Sequence, residues 1–143
     1  MARMVWITDP HLNFADPDRV EQLLAAIDAE NPEAVLFGGD IAEAHSVVGW
    51  LSVLGRSIAA PIYFVLGNHD YYYGSIAGVR ARVAEFCGEH PRLRYLSTSD
   101  CFRLAPGVVL LGHDGWADAR AGDYVRSYVL LNAYRLLEEL AGG

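Results

Sequence analysis

Two short apolar runs, "AVLF" at 34–37 and "PIYFVL" at 61–66, constrain this chain more than any other feature. A strand that is apolar on both faces has to be covered on both, as in a parallel sheet packed between other layers. The stretches around these runs repeat their apolar residues with helical spacing. Val20, Leu23, Leu24 and Ile27 stand at i, i+3, i+4 and i+7, one buried helix face. Asp16 and Pro17 precede them, a good N-cap and a good first helical residue. "ENP" at 30–32 ends that helix.

The same reading gives a first strand over residues 3–8, "RMVWIT". A second helix runs from about Ser46 to Ile58, with Val47, Leu51, Leu54 and Ile58 on one side. A third runs from about Ser75 to Glu89 and turns Ile76, Val79, Val83 and Phe86 inward. "LRYLS", "CFRL" and "VVLLG" at 108–112 read as strands, and a closing helix is expected from about Tyr124 to Leu140. Alternation of this kind implies right-handed crossovers and a mainly parallel sheet, an α/β fold.

The length of 143 residues suits one domain covering the whole chain, 1–143. A hydrophobic share of 52% with 20% charged residues belongs to a globular protein. No apolar run approaches the ~20 residues that span a bilayer, so no membrane association is expected. "MARMVWITDPH" enters a strand-like run directly, without the ordered regions of a secretory signal. A cytoplasmic protein is expected, with Cys87 and Cys101 as reduced thiols outside any metal-like spacing. The net charge of −7 argues against general nucleic-acid binding. It leaves room for a small phosphate-containing substrate if a bound cation supplies the positive charge.

Each of the first three strands runs into polar residues that can hold a metal. They are Asp9 and His11 in "TDPHL", Asp40 in "FGGDI", and Asn68 and His69 in "LGNHDYYYG". Ligands of parallel sheets collect at the carboxyl ends of the strands, so neighbouring strands would bring all five residues to one edge. Asp, His and Asn together suit a borderline divalent cation. Pro10 biases Asp9 towards an extended backbone, and two extended residues apart put Asp9 and His11 on the same side as a gripping pair. Gly38 and Gly39 let backbone pass close beside Asp40, whose two oxygens can bridge two ions. Asn68 offers a neutral oxygen, and His69 is better placed to act on a substrate. Two ions about 3.5–4 Å apart can clamp a phosphoryl group and activate water, and a neighbouring His can protonate the leaving oxygen.

Taken singly, these motifs have ordinary structural readings. "TDPH" can be an Asp-Pro turn with a surface His, and "GGD" a strand-to-helix turn with a capping Asp. "GNHD" is more specific, and the three in order at successive strand ends are far more so. No G-x-G-x-x-G or G-x-x-x-x-G-K follows any strand, which weakens a doubly wound nucleotide-binding module as a rival.

Together, "DPH" at 9–11, "GGD" at 38–40 and "GNHD" at 67–70 resemble the calcineurin-like metallophosphoesterases, over at least residues 4–74. The resemblance implies a calcineurin-like sandwich whose first sheet carries flanking helices. It implies a hydrolase that attacks a phosphomonoester or phosphodiester with metal-activated water. Asp9, His11 and Asp40 would hold a first metal, and Asp40 would bridge to a second held partly by Asn68. His69 would be the catalytic acid, and Asp70 would orient His69 or cap the turn. The cofactors would be two divalent metal ions drawn from Mn, Fe, Zn or Mg.

The family also contributes later histidines ending in G-H-x-H, and no such motif occurs here. The expectation is therefore an amino-terminal part of the domain, its second half truncated. Alone, it would have weak activity or none, and it would self-associate through the uncovered sheet or be marginally stable. The alternative is a non-catalytic half-domain that binds metal weakly or needs a partner. Of the remaining histidines, His45 should sit on the exposed start of the second helix and His90 in a solvated connection. His113 ends a strand and is a ligand, a strand-end residue or a substrate contact. Asp114, Trp116 and Tyr71–Tyr73 are candidates for lining a pocket.

Overall fold

The structure is a computed structural model that describes residues 3–98, 101–115, 123, 126–129 and 131–141. Its main sheet has four strands: β1 (Met4–Ile7), β2 (Ala34–Phe37), β3 (Ile62–Phe64) and β4 (Leu93–Tyr95). They lie in the order β1-β2-β3-β4, and every neighbouring pair is parallel. Three helices connect them: α1 (Pro17–Ala29), α2 (Val47–Ser57) and α3 (Ile76–Gly88). A hairpin of β5 (Phe102–Ala105) and β6 (Val108–Leu110) forms a separate antiparallel pair.

Sequential strand order decides where the helices go. Right-handed crossovers that always step to the next strand on the same side place every helix on one face. The core agrees: Val35, Phe37, Ile62, Phe64, Leu93 and Tyr95 pack with Val20 and Ile27 of α1, Leu51 and Leu54 of α2, and Val79 and Val83 of α3. The opposite face carries Trp6, Leu36, Tyr63 and Arg94 in register across the strands. It is covered far less. Tyr63 meets Phe102 of the hairpin edge-on at 5.6 Å, whereas Met4 and Trp6 remain 46% and 75% exposed.

The helix starts follow from their sequence. Pro17 occupies the first position of α1, and the Asp16 carbonyl, not its side chain, accepts the Val20 N–H at 3.1 Å. Ser75 caps α3 with its hydroxyl, 3.0 Å from the Gly78 N–H. Asn31 takes a left-handed φ of 44° just past α1, where "ENP" ends the helix.

The closing helix is the main departure. Of the expected Tyr124–Leu140, Tyr124, Val125 and Leu130 lie outside the described residues, and α4 (Ala133–Leu136) is the α-helical part of the rest. Competing contacts explain this. Leu137 leaves the helix to bridge Gly74. The Tyr73 N–H donates to the Leu136 carbonyl at 2.8 Å, and the Glu138 N–H to the Gly74 carbonyl at 3.2 Å. The Glu139 carboxylate accepts the N–H groups of Ile76 and Ala77 at 2.9 and 3.1 Å, satisfying the start of α3. Desolvation pushes the Glu139 carboxyl up, but the backbone N–H groups of Ile76, Ala77 and Glu139 itself together hold it below its ordinary pKa.

Candidate metal centre

Because β1, β2 and β3 are parallel neighbours, the loops that follow them leave from one edge of the sheet. The first loop is laid along the second by backbone bonds. Asp9 N–H donates to the Gly39 carbonyl at 3.2 Å, His11 N–H to Asp40 at 3.0 Å, and Leu12 N–H to Ile41 at 2.8 Å. This pinning overrides the extended conformation expected of Asp9 and His11. Both adopt left-handed backbones, with φ of 52° and 43°, and Asp9 does so directly before a proline, where that region is disfavoured. The extended backbone that the expected same-side pair requires is therefore absent, and Asp9 lies outside the group of ligand-capable atoms that includes His11. The Asp9 carboxylate is exposed and accepts from the Thr8 hydroxyl.

The second and third loops touch backbone to backbone. Gly39 has φ 96°, and a Cβ on it would lie 2.6 Å from the Gly67 nitrogen. Only glycine fits there. Asp40 follows with φ 51° and is 7% exposed. Its Oδ1 accepts the His69 N–H at 2.9 Å, and its Oδ2 lies 4.0 Å from His11 Nε2. The His11 and His69 rings meet edge-on with centroids 4.5 Å apart. Among the described residues, His11, Asp40 and His69 form a group whose ligand-capable atoms all lie within 4.8 Å of one another.

These residues fit a divalent cation. His11 and His69 each bury an Nδ1 without a hydrogen-bond partner, a costly state for a polar atom, and they face a carboxylate. Imidazole nitrogens and a carboxylate oxygen are the donors such an ion takes. The structure thus gathers three of the five expected residues. Asn68 donates its amide Nδ2–H to the Tyr72 hydroxyl at 2.7 Å, which leaves its Oδ1 as the acceptor end. Tyr72 also lies 4.3 Å from the His69 ring.

Asp70 serves the turn. Its carboxylate is fully buried and accepts the Ala42 N–H at 2.8 Å and the Gly67 N–H at 2.9 Å. Burial pushes its pKa up to about 7, opposed by those two bonds. Asp70→Ala should strand the buried Ala42 N–H at about 1–3 kcal/mol and the half-buried Gly67 N–H at less. Asp70→Asn keeps one acceptor and should lose less. Urea unfolding midpoints of the two variants check this order.

Several expected pocket residues lie elsewhere. Tyr71 and Asp114 are buried, and the Tyr71 hydroxyl donates to Asp114 Oδ2 at 2.9 Å. Burial and the Asp114 charge push the Tyr71 pKa up to about 12. These two residues are structural because a carboxylate under the sheet edge needs donors around it. Tyr72 is buried beside His69, and Tyr73 is 64% exposed. His113 is exposed and takes the Gly115 N–H on Nδ1 at 2.7 Å, outside the three-residue group. His90 is half-buried, stacked on Phe86 at 3.9 Å and bonded to its carbonyl at 2.7 Å, so only part of the ring meets solvent. His45 is exposed, as expected. Trp116 lies outside the described residues.

The sequence profile of calcineurin-like phosphoesterases matches residues 2–142. No curated protein sequence matches significantly. A solved crystal structure is similar at 18% identity and a TM-score of 0.49, covering 69% of this chain and 48% of that one. The chain thus spans about half the length of that solved protein.

Proposed function

This chain belongs to the calcineurin-like phosphoesterase family, and from that premise we propose that it is a metal-dependent phosphoesterase acting on a small phosphomonoester or phosphodiester. The observation that carries the reading is the convergence of His11, Asp40 and His69 at one sheet edge. Two divalent cations, drawn from Mn, Fe, Zn or Mg, would supply charge for the phosphoryl oxygens and bring a water near neutral pKa. His11 and Asp40 would be donors for one ion, with Asp9 joining if its side chain turned from Thr8. Asp40 and the Asn68 oxygen would be donors for the other.

His69 holds a proton on an imidazole nitrogen and delivers it to the leaving-group oxygen. Its main-chain N–H is fixed by Asp40 and its ring packs between His11 and Tyr72, so it is oriented without a dedicated partner for its Nδ1.

The test is turnover of p-nitrophenyl phosphate and bis(p-nitrophenyl) phosphate with and without Mn. Turnover that needs Mn and stops with a chelator supports the reading, and turnover indifferent to chelator overturns it. A non-catalytic domain holding one cation weakly is the second reading, favoured by the gathering of only three side-chain donors among the described residues. Mn bound one to one with no turnover of either ester would select it.

The open face of the sheet carries a further expectation. With Trp6 75% exposed and Met4 beside it on the edge strand, the chain should self-associate through that face. Trp6→Lys should lower the concentration dependence of the sedimentation coefficient.

A further inference from the structure

We propose that Asp114 is a positioning residue for the metal centre, fixing the loop after β3 that presents Asn68 and His69. The inference rests on the metal-dependent reading above. Asp114 is 4% exposed, and its carboxylate collects donors from four parts of the chain. Oδ1 accepts the Leu66 N–H at 2.8 Å and the Ser97 hydroxyl at 2.7 Å. Oδ2 accepts from the Tyr71 hydroxyl at 2.9 Å, from Arg80 Nε at 3.1 Å, and from the Tyr95 hydroxyl.

A carboxylate offers about four lone-pair sites, and this one meets all its donors from protein. It has no capacity left for a cation, which rules out a ligand's role. A buried charge is tolerable only when paired and hydrogen-bonded; here Arg80 supplies the countercharge and the hydroxyls the rest.

The position of two of these donors gives the carboxylate its effect on the site. Leu66 and Tyr71 bracket residues 67–70, so Asp114 holds both ends of the segment that carries Asn68 and His69. Inside the bracket, the Gly67 N–H goes to Asp70 and the His69 N–H to Asp40. Three carboxylates therefore determine the path of one short loop, and only Asp40 belongs to the cation's donor group. Orientation of a ligand by its outer hydrogen-bond partners is worth about 10–100-fold in metal affinity. Asp114 acts at that remove: it sets where the His69 ring stands relative to Asp40 and His11.

The experiment pairs Mn titration with amide hydrogen exchange of the metal-free protein, using Asp114→Asn, Tyr71→Phe and a control. The control is Ile27→Ala, a core residue in the last turn of α1. Asp114→Asn should lower Mn affinity about 10–100-fold and speed exchange at Leu66 and His69. Tyr71→Phe, which removes one hydroxyl and keeps the ring, should do the same to a smaller degree, and it decides the matter if Asp114→Asn does not fold. Ile27→Ala should lose stability while its Mn affinity holds. Unchanged Mn affinity in folded Asp114→Asn and Tyr71→Phe overturns the proposal. So does an equal loss of affinity in Ile27→Ala, since the effect would then be general destabilisation. Absence of Mn binding by the parent protein overturns the metal reading itself, and the parent titration alone reveals that case.

Discussion

Asp40→Asn is expected to lower Mn affinity more than His11→Ala does, and by more than the roughly 10–100-fold that loss of an outer partner costs a metal site. The substitution is unusually clean here. Asn keeps the volume and one oxygen, so the bond from the His69 N–H at 2.9 Å can persist and the loop can stay in place. What changes is the other oxygen, 4.0 Å from His11 Nε2. An amide NH2 there presents a donor where a cation needs an acceptor, and the only acid of the three-residue group is gone. His11→Ala removes a neutral donor and leaves the charge. If Asp40 serves two ions, stoichiometry should fall along with affinity. Isothermal titration with Mn that finds the same stoichiometry and affinity in Asp40→Asn would refute the two-ion assignment.

How much of this was legible in the sequence depends on the range of the forces involved. β2 reads directly from "AVLF", and α1, α2 and α3 from their apolar spacing, because burial of one face is written locally. The convergence of Asp40, His11 and His69 follows from strand order, which short crossovers make nearly unavoidable. The backbone of Asp9 and His11 is another matter. Their left-handed conformations are imposed by carbonyls of Gly39 and Asp40, some thirty positions away, and no local propensity encodes that.

Asp114 shows the same limit more sharply. Its donors stand 48, 43, 34, 19 and 17 positions earlier in the chain. The available signal was an acid two positions behind the apolar run "VVLLG", which has to be either solvated or richly bonded. The closing segment fails for a related reason. Its helical spacing is real, but Leu137 and Glu139 gain more by joining Gly74 and the start of α3 than by extending α4.

His69→Gln should separate proton delivery from metal retention. A positioned general acid contributes about 10²–10⁴-fold in rate, and the loss should be greatest where the leaving oxygen most needs a proton. Alkyl phosphates should therefore suffer most, and nitrophenyl esters, whose phenolate leaves readily, should suffer least. Mn affinity should stay close to that of the parent, because the Asp40 bond to residue 69 runs through the backbone N–H, which the substitution keeps. The structure makes this test sharp, since His69 also stands among the ligand-capable atoms of His11 and Asp40. Equal rate losses on alkyl and nitrophenyl esters would count against the acid. A fall in Mn affinity as large as that of Asp40→Asn would make His69 a ligand instead, and proton delivery would then have to come from another group beside the phosphate.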